Sequence, residues 1–166
     1  MESSSPAGGV FDPSPHSLRL SPTGRDPARL DSLGRNLPQR LQALKTNRPA
    51  VYEQIRSATQ SVLGIPVDID FFDYKGPSPG VCLLQIEPGL VHPIFQWHVS
   101  SGTLRMLALM TALFGETESS LIGIEEPENY VHPTALAAFA KCLKQARDRV
   151  QILVTTHSPL LLDFLD

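Results

Sequence analysis

The 166-residue sequence predicts an α/β fold, in which a parallel sheet with helical crossovers is joined to a small antiparallel meander. Two observations carry this. The apolar runs Leu121–Ile124 and Val150–Val154 flank a helix-like stretch at 133–149, and strands separated by helices of that length imply parallel neighbours. Between Val67 and Trp97 the pattern instead shortens to period two, as in Val67-Asp68-Ile69-Asp70-Phe71, with turn residues between the runs. Composition agrees: 42% hydrophobic and 19% charged residues are ordinary for a globular chain and exclude wholesale disorder or a coiled-coil rod.

Taken in order, residues 1–27 are Ser-, Pro- and Gly-rich without periodicity and read as a tail or connector, leaving residues 28–166 as the folded unit. Asn36 is expected to cap a helix over Leu37–Leu44, with Pro38 in its first turn and Leu37, Leu41 and Leu44 on one face. A second helix over Ala50–Leu63 repeats the pattern with Val51, Ile55 and Val62. The meander follows, using Val67–Phe71, Val81–Ile86 and Ile94–Trp97. Then come a helix at 103–115, a strand at 121–125, the helix at 133–149 and a strand at 151–156.

Charge and cysteine usage narrow the function classes. A net charge of −3 gives no chain-wide basic field. Arg29, Arg35, Arg40, Lys45, Arg48 and Arg56 form one locally basic stretch, but Tyr52 is its single aromatic residue, too few for a base-stacking surface, so a solvated helix face is favoured over a nucleic-acid patch. Cys82 and Cys142 make no disulfide framework and read as reduced, buried thiols. The N-terminus has no signal-peptide pattern, and the longest apolar stretch, Leu104–Phe114, is too short to span a bilayer and contains Arg105; a cytoplasmic protein is expected.

Four features carry chemistry. Leu121-Ile122-Gly123-Ile124 reads as a central strand buried on both faces, and it runs directly into Glu125 and Glu126, placing two carboxylates at the carboxyl edge of the sheet where open α/β folds bind ligands. Like charges side by side on a dry edge call for a cation, and a magnesium-bound nucleotide phosphate fits; the competing reading is a strand end passing into solvent. The second buried strand ends in Thr155-Thr156-His157. If the two strands are neighbours, His157 reaches the same site. Val99-Ser100-Ser101-Gly102-Thr103 opens a helix with small hydroxyl residues and a glycine, which suits a phosphate, although an ordinary serine cap explains the same residues. Glu128 and His132 lie on the following loop, as a metal pair or as contacts at a subunit boundary.

In this order the segments Ser100-Ser101-Gly102-Thr103-Leu104-Arg105, Ile124-Glu125-Glu126-Pro127-Glu128-Asn129 with His132-Pro133, and Thr155-Thr156-His157-Ser158-Pro159 resemble the ABC/SMC-like ATPase heads. The likeness is to the bacterial AAA-type ATPase core branch related to the overcoming-lysogenization-defect and RecF-type ATPases, and it covers roughly residues 20–166. It implies a P-loop NTPase-type sheet with ATP and Mg²⁺ as cofactors. The signature motif would be 100–105, with Ser100, Ser101, Gly102 and Thr103 touching ATP phosphate bound by a partner subunit. Walker B would be 121–126, with Glu125 ordering the metal through water and Glu126 as catalytic base. His132 would lie in the D-loop, and His157 would be the switch histidine. Partners implied are a second copy or a complete head in trans.

The departures are mild at Ser101, where the family often has an acid, at Glu125, where transporters have Asp, and at Tyr130-Val131, where the family often has Gly-Leu. They are serious at the phosphate loop, because no Gly-x-x-x-x-Gly-Lys-[Ser/Thr] occurs in the sequence. The expectation is the C-terminal half of an ATPase core, inactive alone. Rival readings are a non-catalytic module that pairs with a complete head, and a metal-dependent hydrolase or nuclease using Glu125, Glu126, Glu128, His132 and His157 as ligands.

Overall fold

The structure is a computed structural model describing residues 9–20, 29–75, 80–115 and 121–165. In chain order the elements are β1 (Gly9–Phe11), α1 (Pro15–Leu18), α2 (Leu37–Asn47), α3 (Pro49–Leu63), β2 (Asp68–Tyr74), β3 (Gly80–Ile86), β4 (Ile94–Phe95), α4 (Ser101–Met110), β5 (Leu121–Glu125), α5 (Leu136–Ala146), β6 (Gln151–Thr155) and α6 (Pro159–Leu165). A wide π-type turn, Thr111–Gly115, extends α4, and a 3₁₀ turn, Pro133–Ala135, leads into α5.

Two three-stranded sheets result. One is parallel with order β1-β5-β6, and the other is the antiparallel meander β2-β3-β4. In the parallel sheet Leu121 pairs with Gln151 and Glu125 with Thr155, so β5 and β6 end level with each other. Helix α4 lies at the centre: every residue from Thr103 to Met110 is buried, as expected of a helix that is apolar all round. Leu41, Leu44, Ile55, Phe114, Phe139 and Ala146 belong with it to one continuous core. The two cysteines are free and buried.

Four sequence expectations are corrected. The described part of the presumed tail, 9–20, is structural: β1 pairs with β5 through Gly9–Ile122, Val10–Gly123 and Phe11–Ile124, and Phe11 and Leu18 join the core. Three residues between prolines and serines show no period, so pairing with the buried β5 makes this strand, not local pattern. Asn36 does not cap α2 with its side chain; its Oδ1 accepts from the Asp31 N–H at 2.9 Å and its Nδ2 donates to the Arg29 carbonyl at 2.7 Å. Helix 103–115 starts two residues earlier, at Ser101, and gives way at Thr111, whose hydroxyl donates to the Leu107 carbonyl at 2.6 Å. Strand β6, expected to be buried like β5, is half open, with Leu153 61% exposed, because among the described residues only β5 pairs with it.

The basic stretch is largely consumed internally. Arg40 and Arg48 donate to the Gly115 carbonyl, Arg35 pairs with Asp31, Arg56 with Glu53, and Lys45 reaches the Ile69 carbonyl and Asp70. These cations tie α2 and α3 to their surroundings instead of forming a continuous positive face. Among the described residues, no helix is long and apolar enough to cross a membrane.

Candidate functional site at the carboxyl edge of the parallel sheet

Strand β5 delivers Glu125, exposed and in register with Thr155, to the carboxyl edge. Glu126 continues the ladder by one bond, from its N–H to the Thr155 carbonyl at 2.9 Å, and then turns the chain off the sheet through a left-handed backbone at φ 41°. That conformation disfavours any side chain and needs surrounding contacts to hold it. Arg105 supplies them: its Nη2 donates to the carbonyls of both Glu125 and Glu126, at 2.9 and 3.1 Å, and its Nη1 donates to the Pro13 carbonyl at 2.6 Å. The guanidinium is 2% exposed and also lies 3.4 Å from Asp12. It therefore fastens α4, the end of β5 and the segment after β1 to one point.

The Glu126 carboxylate is half in solvent. Its Oε2 accepts from Asn129 Nδ2 at 2.7 Å, and its Oε1 stands 3.5 Å from His157 Nε2. The level ends of two parallel neighbours thus bring together Glu126 and His157, as the sequence register suggested. The edge is not dry, and the cation nearest the strand end, Arg105, is spent on backbone carbonyls instead of the carboxylates.

Glu128 is turned toward the end of β6. Its Oε1 accepts from Thr156 Oγ1 at 2.6 Å and from the His157 N–H at 2.9 Å. Burial alone would raise its pKa; hydrogen bonding from the Thr156 hydroxyl and the backbone N–H groups of Glu128, His157 and Ser158 outweighs burial and holds the carboxyl below the ordinary value.

Ser100 caps α4, accepting from the Thr103 N–H at 3.0 Å and sharing a 2.7 Å hydrogen bond with the Thr103 hydroxyl. Ser101 Oγ accepts from Arg19 Nη2 at 3.1 Å, and the same guanidinium holds the Val99 carbonyl at 2.7 Å. A Cβ at Gly102 would sit 2.7 Å from the Tyr130 carbonyl oxygen, so the glycine lets the start of α4 press on the loop after β5. Tyr130 itself is left-handed at φ 67°, at the position where the ATPase heads often carry glycine.

His132 is exposed and serves its own turn, with Nδ1 2.8 Å from the Thr134 hydroxyl. It is not brought to Glu128, which faces Thr156 and His157. Among the described residues, no group of three or more His, Cys, Asp or Glu side chains converges to hold a metal ion. The five side chains that the hydrolase reading uses as ligands are therefore not gathered at one point. The donor set does fit a hydrated Mg²⁺, which takes one or two hard carboxylate oxygens and keeps its remaining positions for water and phosphate.

Two site residues escaped sequence reading. Arg19 lay in the presumed tail, and Arg105 had no role beyond its place in the motif. The available signal was a lone arginine inside an apolar stretch, which must find acceptors when buried.

A family model described as "AAA domain, putative AbiEii toxin, Type IV TA system" matches residues 10–163. Solved SMC heads share the fold. The Smc head bound to the C-terminal domain of ScpA from Pyrococcus furiosus aligns with a TM-score of 0.55 at 10% identity, over 80% of this chain and 34% of that one. A second Smc head, bound to the C-winged helix domain of ScpA, gives 0.56 at 13% identity over 90% and 47%. A structure from work on ATP-driven dimerization and DNA-stimulated activation of SMC ATPases gives 0.55 at 12% identity over 76% and 78%. The chain thus spans less than half the length of the first two heads. No curated protein matches it in sequence. With a family model covering nearly its whole length, the chain belongs to this AAA domain family, and its likeness to the SMC heads gives it an ABC/SMC-like, P-loop NTPase-type fold.

Proposed function

We propose that this chain is the signature, Walker B and switch half of an ATP-hydrolysing head, and that it acts in the cytoplasm. The observation that carries the reading is the meeting of Glu126 and His157, 3.5 Å apart, at the level ends of two parallel strands. Glu126 has the exposure and reach of a general base for water, and His157 can donate to a phosphate oxygen from the same edge. Glu125, one residue back and exposed, would orient the water shell of Mg²⁺. The bound cation would neutralise charge on the transferring phosphoryl group. Ser100–Thr103, with the positive end of the ten-residue helix α4 behind them, would meet the phosphate of an ATP held by an opposing subunit.

With no phosphate loop in the sequence, the chain alone is expected to bind ATP feebly. The test supplies the phosphate-loop half of a complete family member as a separate polypeptide and follows phosphate release with Mg²⁺. The mixture should turn over and Glu126→Gln should abolish the turnover; a mixture at background, or turnover insensitive to that change, would refute the reading.

A second reading is favoured by one feature. Strand β6, paired among the described residues with β5 alone, borders an open groove of about 660 Å³ where Leu143, Val150, Ile152, Val154 and Leu165 are mixed with Lys144, Arg147, Arg149 and Gln151, an edge on which a partner would meet apolar and cationic side chains together. On that reading the chain is a non-catalytic module that docks on a complete head. Sedimentation of the chain with such a head in the absence of ATP tests it: a stable complex that never hydrolyses supports the module.

A further inference from the structure

We propose that Glu128 is a positioning residue, which fixes the backbone of His157 so that the imidazole stands against Glu126. This deepens the ATPase reading above and rests on it. The His157 side chain is 91% exposed, so packing does little to place the ring. Its place is set by the backbone that carries it, and that backbone lies beyond the last ladder pair, Glu125–Thr155. There a single carboxylate oxygen, Glu128 Oε1, accepts from both the Thr156 hydroxyl and the His157 N–H.

The order continues outward. Thr156 Oγ1 accepts from the Ser158 N–H at 3.0 Å, and Ser158 Oγ accepts from the Leu161 N–H at 3.2 Å in the first turn of α6. Thus one oxygen organises the whole exit from β6. At the other end of the clamp, the left-handed Glu126 and the buried Pro127 fix the loop that carries Glu128, and Asn129 holds the second oxygen of the Glu126 carboxylate. Glu126 and Glu128 therefore grip the same histidine, one at its ring and the other at its N–H. Separation of the loop from the strand exit would release both contacts together.

The test uses the 166-residue chain without nucleotide, so its outcome is independent of whether the ATPase reading holds. Amide exchange of His157 is measured by NMR in the wild type, Glu128→Ala and Glu128→Gln, with Glu126 and the β5–β6 ladder amides as internal references. Loss of an acceptor that is charged should speed His157 exchange at least tenfold in Glu128→Ala and leave the references within twofold. Glu128→Gln keeps a carbonyl oxygen that can accept both donors and should restore most of the protection.

The ring gives the readout that simple stabilisation would not move. Glu126→Gln should shift the His157 ring resonances in the wild-type background, and the shift should fall by at least half in the Glu128→Ala background. Should Glu128→Ala not fold, Thr156→Val removes only the hydroxyl and should give at least threefold faster His157 exchange. Unchanged His157 exchange in the folded variant, or an equal ring response to Glu126→Gln in both backgrounds, would overturn the proposal.

Discussion

Replacing Arg105 with Met tests how the site edge is held. The exchange keeps much of the side-chain volume and removes the guanidinium that is 2% exposed and bonded to the carbonyls of Pro13, Glu125 and Glu126 at 2.6, 2.9 and 3.1 Å. Hydrogen bonds from a charged donor are each worth roughly 1.5 kcal/mol or more, and deep burial removes solvent screening. Losing three and stranding their acceptors should cost about 4 kcal/mol, a large share of the 5–15 kcal/mol typical of a folded domain. The contact with Asp12 adds little, because that carboxylate is half exposed. In urea unfolding followed by circular dichroism, a slope of about 2 kcal/mol/M converts this into a midpoint lowered by roughly 2 M with the slope unchanged. Arg105→Lys, with one ammonium in place of the fork, should recover only part. A loss below about 1 kcal/mol for Arg105→Met would refute the reasoning that this residue fastens α4 to the end of β5.

Three further outcomes follow from the same loop. Gly102→Ala should lower thermal stability by about 1–3 kcal/mol even though alanine favours helix, because its Cβ would meet the Tyr130 carbonyl at 2.7 Å; a gain in melting temperature would contradict the close approach. Tyr130→Gly should raise stability by about 0.5–1 kcal/mol, since it relieves a left-handed backbone at an exposed side chain; a destabilised variant would show that the tyrosine has contacts that matter more. For Glu128, the folded pKa is depressed below its ordinary 4.5, so its contribution is complete above that pH and lost as pH falls through the folded value. Acid unfolding of Glu128→Gln should accordingly be less steep below pH 4.5 than that of the wild type, and equal steepness would count against the hydrogen-bonded carboxylate.

Much of the fold was legible because its elements are long and periodic. The apolar run at 121–124 and its partner at 151–154 announced parallel strands, and their matching ends bring His157 within reach of the site of Glu126 once the two strands are neighbours. What remained hidden depends on tertiary contacts with no local signature. Gly9-Val10-Phe11 is a strand only because β5 offers a buried edge to pair with. Asn36 satisfies a loop at Arg29 and Asp31 instead of the helix it precedes, since its side chain has two competing sets of partners. Arg19 and Arg105 act on residues some eighty to ninety positions away in sequence in their longest contacts, Arg19 to Val99 and Arg105 to Pro13. The exposure of β6 likewise reflects what lies beside it, not its own apolar composition.

The central claim, that this chain supplies one face of an ATP-clamping head pair, is tested most directly by mixing it with a complete family head. That head should keep its own phosphate loop but have its signature serine and glycine replaced, so that it cannot hydrolyse ATP by pairing with itself. Phosphate release on adding the 166-residue chain is the readout. Restored turnover that Ser100→Arg in this chain abolishes is the predicted result; turnover no greater than that of the altered head alone would contradict the account.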